Sequence, residues 1–208
     1  MSPDRQDLLL VAARVPVAVG QDCVVVAIDG VDGAGKTTFA DELAEVLRDE
    51  GREVIRILLD DFHNTREVRY AQGRHSPEGY WLDSFNYARF HSDILEPLGK
   101  GGSREYSPRA HDLGTDQVLT ASHLTAAPGS VVVIDGLFMH RDKLADLWDL
   151  SVFLDVPFEV STRRLSERDG SEPDLHHPSR KRYLEGQRIY LSSCNPEGRA
   201  TLVIDNGH

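Results

Sequence analysis

Eight consecutive residues, Gly30-Val31-Asp32-Gly33-Ala34-Gly35-Lys36-Thr37, carry the spacing G-x-x-x-x-G-K-[ST]. Glycine at three of these positions lets the backbone close around an anion, so that its N–H groups, including those at Asp32 and Ala34, can cradle phosphate oxygens. Lys36 adds an ammonium for the terminal phosphates, Thr37 offers a hydroxyl to magnesium, and Thr38 extends the cradle. The ligands expected are ATP and Mg2+. None of the four lysines sits in an N-K-x-D element, which disfavours a guanine-nucleotide switch. Two further carboxylate positions complete a phosphoryl-transfer set. Asp135 ends the apolar run Val131-Val132-Val133-Ile134 and is expected to orient the metal, while Asp60 or Asp61, after Leu59, could act as general base toward a hydroxyl. Each could instead cap a turn, Asp61 more readily than Asp60.

These groups need a scaffold that brings strand ends together. Asp22 to Asp29 is apolar and β-branched, the pattern of a central strand buried on both faces, and Gly35 to Glu50 has apolar residues at helical spacing. Further strands are expected at Glu53–Leu59, Ser130–Ile134, Leu150–Val156 and Thr201–Asp205, and a first helix at Asp4–Arg14. Strands alternating with helices predict an α/β fold of P-loop NTPase type, a doubly wound parallel five-stranded sheet. The stretch 60–128 is too long for a simple crossover and reads as an acceptor-binding insert. It should hold a helix over Ser84–Leu98, capped by Ser84, and an exposed hairpin pairing Arg104–Arg109 with Gln117–Ala121 around the turn at His111–Gly114. A helix from Phe158 ends in Arg163, Arg164 and Arg168, and the segment after it is rich in Gly, Pro and Asp. Residues 163–182 therefore read as a lid whose Arg164 and Arg168 could close over a triphosphate.

Composition narrows the partners. The 208 residues fit a single domain, and 23 Lys+Arg against 34 Asp+Glu give a net charge of −11, the wrong sign for nucleic acid. The longest apolar runs, Leu8–Ala13 and Cys23–Ile28, are far shorter than the ~20 residues of a membrane span. With no cationic leader and only Cys23 and Cys194, the chain reads as cytoplasmic, with no membrane partner and two reduced thiols. A homo-oligomer is left open.

From about Val24 to Asn206 the chain resembles uridine kinases and their relatives, the nicotinamide riboside, pantothenate and phosphoribulose kinases. The resemblance lies in Gly30–Thr38, Asp60-Asp61-Phe62, Ile134-Asp135-Gly136-Leu137 and the stretch from Arg163-Arg164 to Arg168. It implies Asp60 as the base, Asp83 in Pro77–Asn86 as partner of ribose hydroxyls, and Tyr106 and His111 as contacts to a pyrimidine. Such a Tyr would give a stacking face and the His a hydrogen-bond donor. The chain departs from the uridine kinase pattern at Pro173 and Leu175, where two lid arginines would stand, and at Arg182, where a glutamine would. The Asp60-Asp61-Phe62 form and the lid proline look closer to nicotinamide riboside kinases. The implied activity is ATP- and Mg-dependent phosphorylation of a small hydroxylated metabolite, foremost the 5′-hydroxyl of uridine or cytidine. Nicotinamide riboside or pantothenate is the alternative acceptor. A non-catalytic nucleotide-binding regulator is the alternative of another class, against which the three aspartates argue.

Overall fold

A computed structural model describes residues 3–207. Nine strands are present among the described residues: β1 Val24–Gly30, β2 Val54–Leu58, β3 Glu105–Tyr106, β4 His111–Asp112, β5 Gln117–Val118, β6 Leu124–Thr125, β7 Val131–Asp135, β8 Leu150–Asp155 and β9 Leu202–Asp205. Five of them form one parallel sheet in the order β2-β7-β1-β8-β9, as the strand–helix alternation predicts. Every residue of β1 and β7 is buried, which is why these segments read as uninterrupted apolar runs.

Alternate residues of the sheet feed two cores. Val24, Val26 and Ile28 pack with Phe39, Leu43 and Leu47 of helix α2 (Lys36–Asp49) and with Leu8 and Val11 of α1 (Arg5–Ala12). Val25 and Ala27 face the other core, built around Phe62, Phe90, Phe138 and Tyr190. That side is covered by the insert, with α3 (Arg66–Arg69), α4 (Pro77–Asp83), α5 (Tyr87–Phe90) and α6 (Glu96–Leu98). Helix α7 (Phe158–Asp169) contributes Phe158 and Val160 to the first core, α8 (Lys181–Cys194) contributes Tyr190 and Cys194 to the second, and the short α9 (Pro196–Arg199) leads into β9.

The insert differs from expectation in two ways. Ser84 ends α4, its hydroxyl donating to Tyr80 O at 2.6 Å, and the next helix is capped by Asn86, whose Oδ1 accepts from Arg89 N. That helix also does not run straight to Leu98. Residues His91–Leu95 form a π turn, with Glu96 N–H bonded back to His91 O. Pro97 has no N–H to offer Asp93 O, which accepts instead from Ser107 N at 3.1 Å.

The hairpin is likewise not a free arm. β3 pairs with β6 and β4 with β5, with a break at Ser107–Ala110. Pro108 supplies no ladder donor there, and Ala110 N turns to Asp61 O. Arg109 Nε reaches Asp61 Oδ1 at 2.8 Å, and Asp116 accepts from Arg66 N at the start of α3. The arm is therefore tied to the end of β2, to α3 and to the π turn.

Gly136, just after β7, shows how tightly the strand ends are packed. A Cβ there would lie 2.5 Å from Leu59 Cβ, and Leu59 is fully buried immediately before Asp60. Gly136→Ala should cost ~1–3 kcal/mol of stability by overpacking and displace the backbone at Asp60. Denaturant melts together with a turnover assay check this; activity should fall further than the loss of folded protein accounts for.

Candidate active site

Two cavities adjoin at the carboxyl end of the sheet, where open α/β sheets bind ligands. One, of about 630 Å3, is lined by Lys36, Thr37, Asp60, Asp135, Arg164 and Arg168 among others. The other, of about 620 Å3, includes Tyr70, Arg74, Arg180, Arg182 and Tyr183. Asp32, Leu165 and Arg168 line both.

The loop between β1 and α2 forms the floor of the first cavity. Gly33 has φ +79°, and a Cβ there would come within 2.5 Å of Ser161 O on α7. Gly35 has φ +88° and stands at the N-cap of α2, where no side chain caps the first turn. An uncapped helix amino end with a glycine cradle suits phosphate groups. Lys36 Nζ donates to Val31 O at 2.9 Å, and Asp32 N donates to Gln187 Oε1 at 2.6 Å.

Thr37 Oγ1 donates to Asp135 Oδ2 at 2.7 Å, so a hydroxyl and a carboxylate meet at the cavity wall. No three His, Cys, Asp or Glu side chains are grouped so that they could hold a metal ion among the described residues. Two oxygen donors with the rest supplied by phosphate and water fit Mg2+, which seldom takes an all-protein cage. Asp135 Oδ1 is held by Arg56 Nη2 at 2.6 Å, and Arg56 also donates to Val133 O and pairs with Asp41. Arg56 was not anticipated, yet a basic residue inside Val54-Ile55-Arg56-Ile57-Leu58 is an audible exception.

Asp60 and its neighbour face apart. Asp61 is engaged by Arg109, whereas Asp60 opens into the first cavity. The Asp60 carboxyl is reachable from solvent through the cavity but ringed by protein, and that desolvation raises its pKa. His63 and Lys36 pull it back, while Asp32 and Asp135 add to the rise. His63 also escaped the sequence reading. Its Nδ1 lies 2.7 Å from Asp60 O, its ring packs on Phe85, and burial lowers its pKa although Asp60 opposes the change.

The expected acceptor contacts divide. Asp83 is half-buried, its Oδ2 accepting from Gln72 Nε2 at 2.8 Å. Tyr106 is not on an exposed face: it is packed in the core beside Cys23 and lines neither cavity, so its ring offers no open stacking surface. His111 is also buried, with Nε2 3.2 Å from Asp116 Oδ1. Both follow from the pinned arm. Arg164 Nη2 donates to Asn206 O, and Asn206 Nδ2 to Ala34 O, which joins α7, the chain after β9 and the loop. Arg168 is exposed and pairs with Asp169. Arg182, within the expected lid, is instead fixed, donating to the carbonyls of Arg69, Gly73 and Arg74 and stacking on Tyr70 at 5.0 Å.

A phosphate cradle, a lysine, a hydroxyl–carboxylate pair and an aspartate facing them across one cavity define a P-loop kinase. The sequence model of the phosphoribulokinase/uridine kinase family matches residues 25–173, and the chain belongs to that family. It is 24% identical to a uridine kinase of Leuconostoc citreum, over 89% of this chain and 92% of that one. It is 27% identical to a uridine kinase of Shewanella baltica, over 73% and 71%. Among solved structures it resembles a possible uridine kinase from Bacillus stearothermophilus, with a TM-score of 0.75 at 21% identity over 97% and 98% of the two chains. The phosphoribulokinase of Rhodobacter spheroides follows the same fold at a TM-score of 0.57 and 13% identity, over 90% and 73%. No described helix is long and apolar enough to cross a membrane.

The raised pKa of Asp60 has a sign that can be tested. Between its ordinary value and its folded-state value the folded chain binds the proton more tightly, so stability falls as pH rises through that window and the penalty persists above it. Asp60→Asn should therefore melt higher than the parent at pH 7, converge with it below about pH 4, and lose ~10²–10⁴-fold in turnover.

Proposed function

We propose that the chain transfers the γ-phosphoryl group of ATP to a hydroxyl of a small metabolite, with the 5′-hydroxyl of a pyrimidine nucleoside, uridine or cytidine, as the foremost acceptor. Kinases of this family generally use ATP and Mg2+. The observation that carries the reading is the Asp60 carboxylate opening into one cavity with Lys36, Thr37 and Asp135.

In this reading Gly33, Gly35, Thr37 and Thr38 hold the triphosphate through loop and helix-end N–H groups, while the N–H groups of Gly30, Asp32 and Ala34, turned to Asp29, Gln187 and Val31, shape the loop from within. The Lys36 ammonium moves from Val31 O to the terminal phosphate oxygens. Thr37 and Asp135 would hold the metal, with Arg56 turning the Asp135 carboxylate toward Thr37. Magnesium supplies charge neutralisation on the phosphates when bound. Asp60 aligns the acceptor hydroxyl and takes its proton as the oxygen attacks; desolvation makes it a stronger base than a solvated aspartate. Arg168 and Arg164 stand where charge on the transferred group grows, and Arg168, shared by both cavities, can reach it from either side. Asp83 takes the ribose hydroxyls, and His111, buried against Asp116, holds the arm rather than touching the acceptor. Tyr106 supports the arm from the core.

A second acceptor class is favoured by one observation. Arg74 and Arg180 line the second cavity together with Asp32, Asp169 and Glu172, and neither arginine has a carboxylate within ion-pair distance among the described residues. Such a wall favours an acceptor carrying an anionic group, as pantothenate does.

Two measurements test these readings. Lys36→Ala should lower kcat/KM by more than about 100-fold, since anything near tenfold, ~1.4 kcal/mol, is too little for a residue touching the transferred phosphoryl group. ADP release with uridine, cytidine, nicotinamide riboside and pantothenate under one condition should give the highest kcat/KM for a pyrimidine nucleoside; turnover of pantothenate alone would select the anionic class.

A further inference from the structure

Helix α8 grips the phosphate loop at two points. Gln187 and Tyr190 lie three residues apart, about one turn, and so share a side of the helix. Gln187 is 4% exposed; its Oε1 accepts from Asp32 N, and its Nε2 donates to Tyr183 O at 3.0 Å. Both ends of the amide are thus committed, which fixes which end meets the loop.

Tyr190 acts one layer below. Its hydroxyl donates to Asp29 Oδ2, the oxygen that also accepts from His140 Nδ1 at 2.8 Å and His140 N at 3.2 Å. Asp29 Oδ1 accepts from Gly30 N at 2.7 Å. Asp29 and His140 are fully buried, and Asp29 lines neither cavity. A carboxylate sealed from solvent is costly unless saturated with donors, and this one is saturated directly before the first loop glycine. Burial and the facing Asp29 push the Tyr190 phenol far up, so it remains a donor.

We propose that Gln187 and Tyr190 are positioning residues for the phosphate loop, Gln187 by holding the Asp32 N–H and Tyr190 by orienting Asp29 beneath Gly30. They act through the loop backbone and touch no reacting atom. The first turn of α8 carries Arg182 and Tyr183 into the second cavity, so one rigid helix joins that cavity to the loop.

The inference rests on the loop being the nucleotide site, and calorimetric binding of Mg-ADP separates the two, since it needs no acceptor. Wild-type protein should bind Mg-ADP. Gln187→Met and the near-isosteric Tyr190→Phe should each bind about 5- to 20-fold more weakly, the scale of one lost hydrogen bond, with nucleotide-free melting within about 4 °C of the parent. Amide exchange should quicken over residues 31–37 and stay unchanged in β8, and Ser192→Ala, on the exposed side of α8, should behave as wild type. Binding of both variants within about twofold of the parent would overturn the proposal. So would weaker binding accompanied by faster exchange throughout the sheet, which marks general loosening. Wild-type protein that fails to bind Mg-ADP would overturn the nucleotide reading and this inference with it.

Discussion

A backbone turn that only glycine can make stands between a strand with no exposed residue and a helix with no side-chain cap. β1 ends at Gly30, where a Cβ would sit 2.8 Å from Leu154 O, and α2 begins at a left-handed Gly35. The first N–H groups of α2 need partners, and the fold leaves them facing a cavity rather than a capping hydroxyl. The flanking elements are arranged around that need. β7 brings Asp135 beside Thr37, β8 presses on Gly30, and α7 lies close enough over Gly33 that no side chain could stand there.

Besides Asp32 in the turn itself, four aspartates stand around it in a chain already carrying excess negative charge, and their surroundings give them different characters. Asp29 is saturated from within by Tyr190, His140 and Gly30 N. Asp135 divides its oxygens between Arg56 and Thr37. Asp61 is spent on Arg109. Asp60 alone meets desolvation with only His63 and Lys36 to offset it, which leaves it the carboxylate whose affinity for a proton is raised. Type and spacing cannot separate Asp60 from Asp61; their neighbours do.

The sheet was legible because its signal is local. Buried parallel strands are apolar runs, and the five expected ones match the observed strands within about two residues at each end. The loop was legible because its spacing is itself the mechanism. What stayed hidden depends on contacts distant in sequence. Arg56 meets Asp135 across 79 residues, Gln187 meets Asp32 across 155, and Tyr190 meets Asp29 across 161. The burial of Tyr106 follows from an arm fastened by Asp61, Asp116 and Asp93, none of which announces its partner. The helix start was misplaced because Ser84 and Asn86 are both good caps, and Ser84 was already bonded to Tyr80 O in the preceding turn.

The π turn at His91–Leu95 makes the position of the arm a matter of chain length. A π turn accommodates one residue more than an α turn, and here the widened turn and Pro97 together free Asp93 O to receive Ser107 N. Deleting one residue of His91–Leu95 would remove the widening and let the helix run on in regular α geometry, about 1.5 Å shorter between α5 and α6. The wall that the arm makes beside the acceptor site is thus tied to the residue count of one helical turn, through Asp93 O and Ser107 N, whereas the phosphate loop is gripped by β7, β8 and α7 and takes no part in that turn.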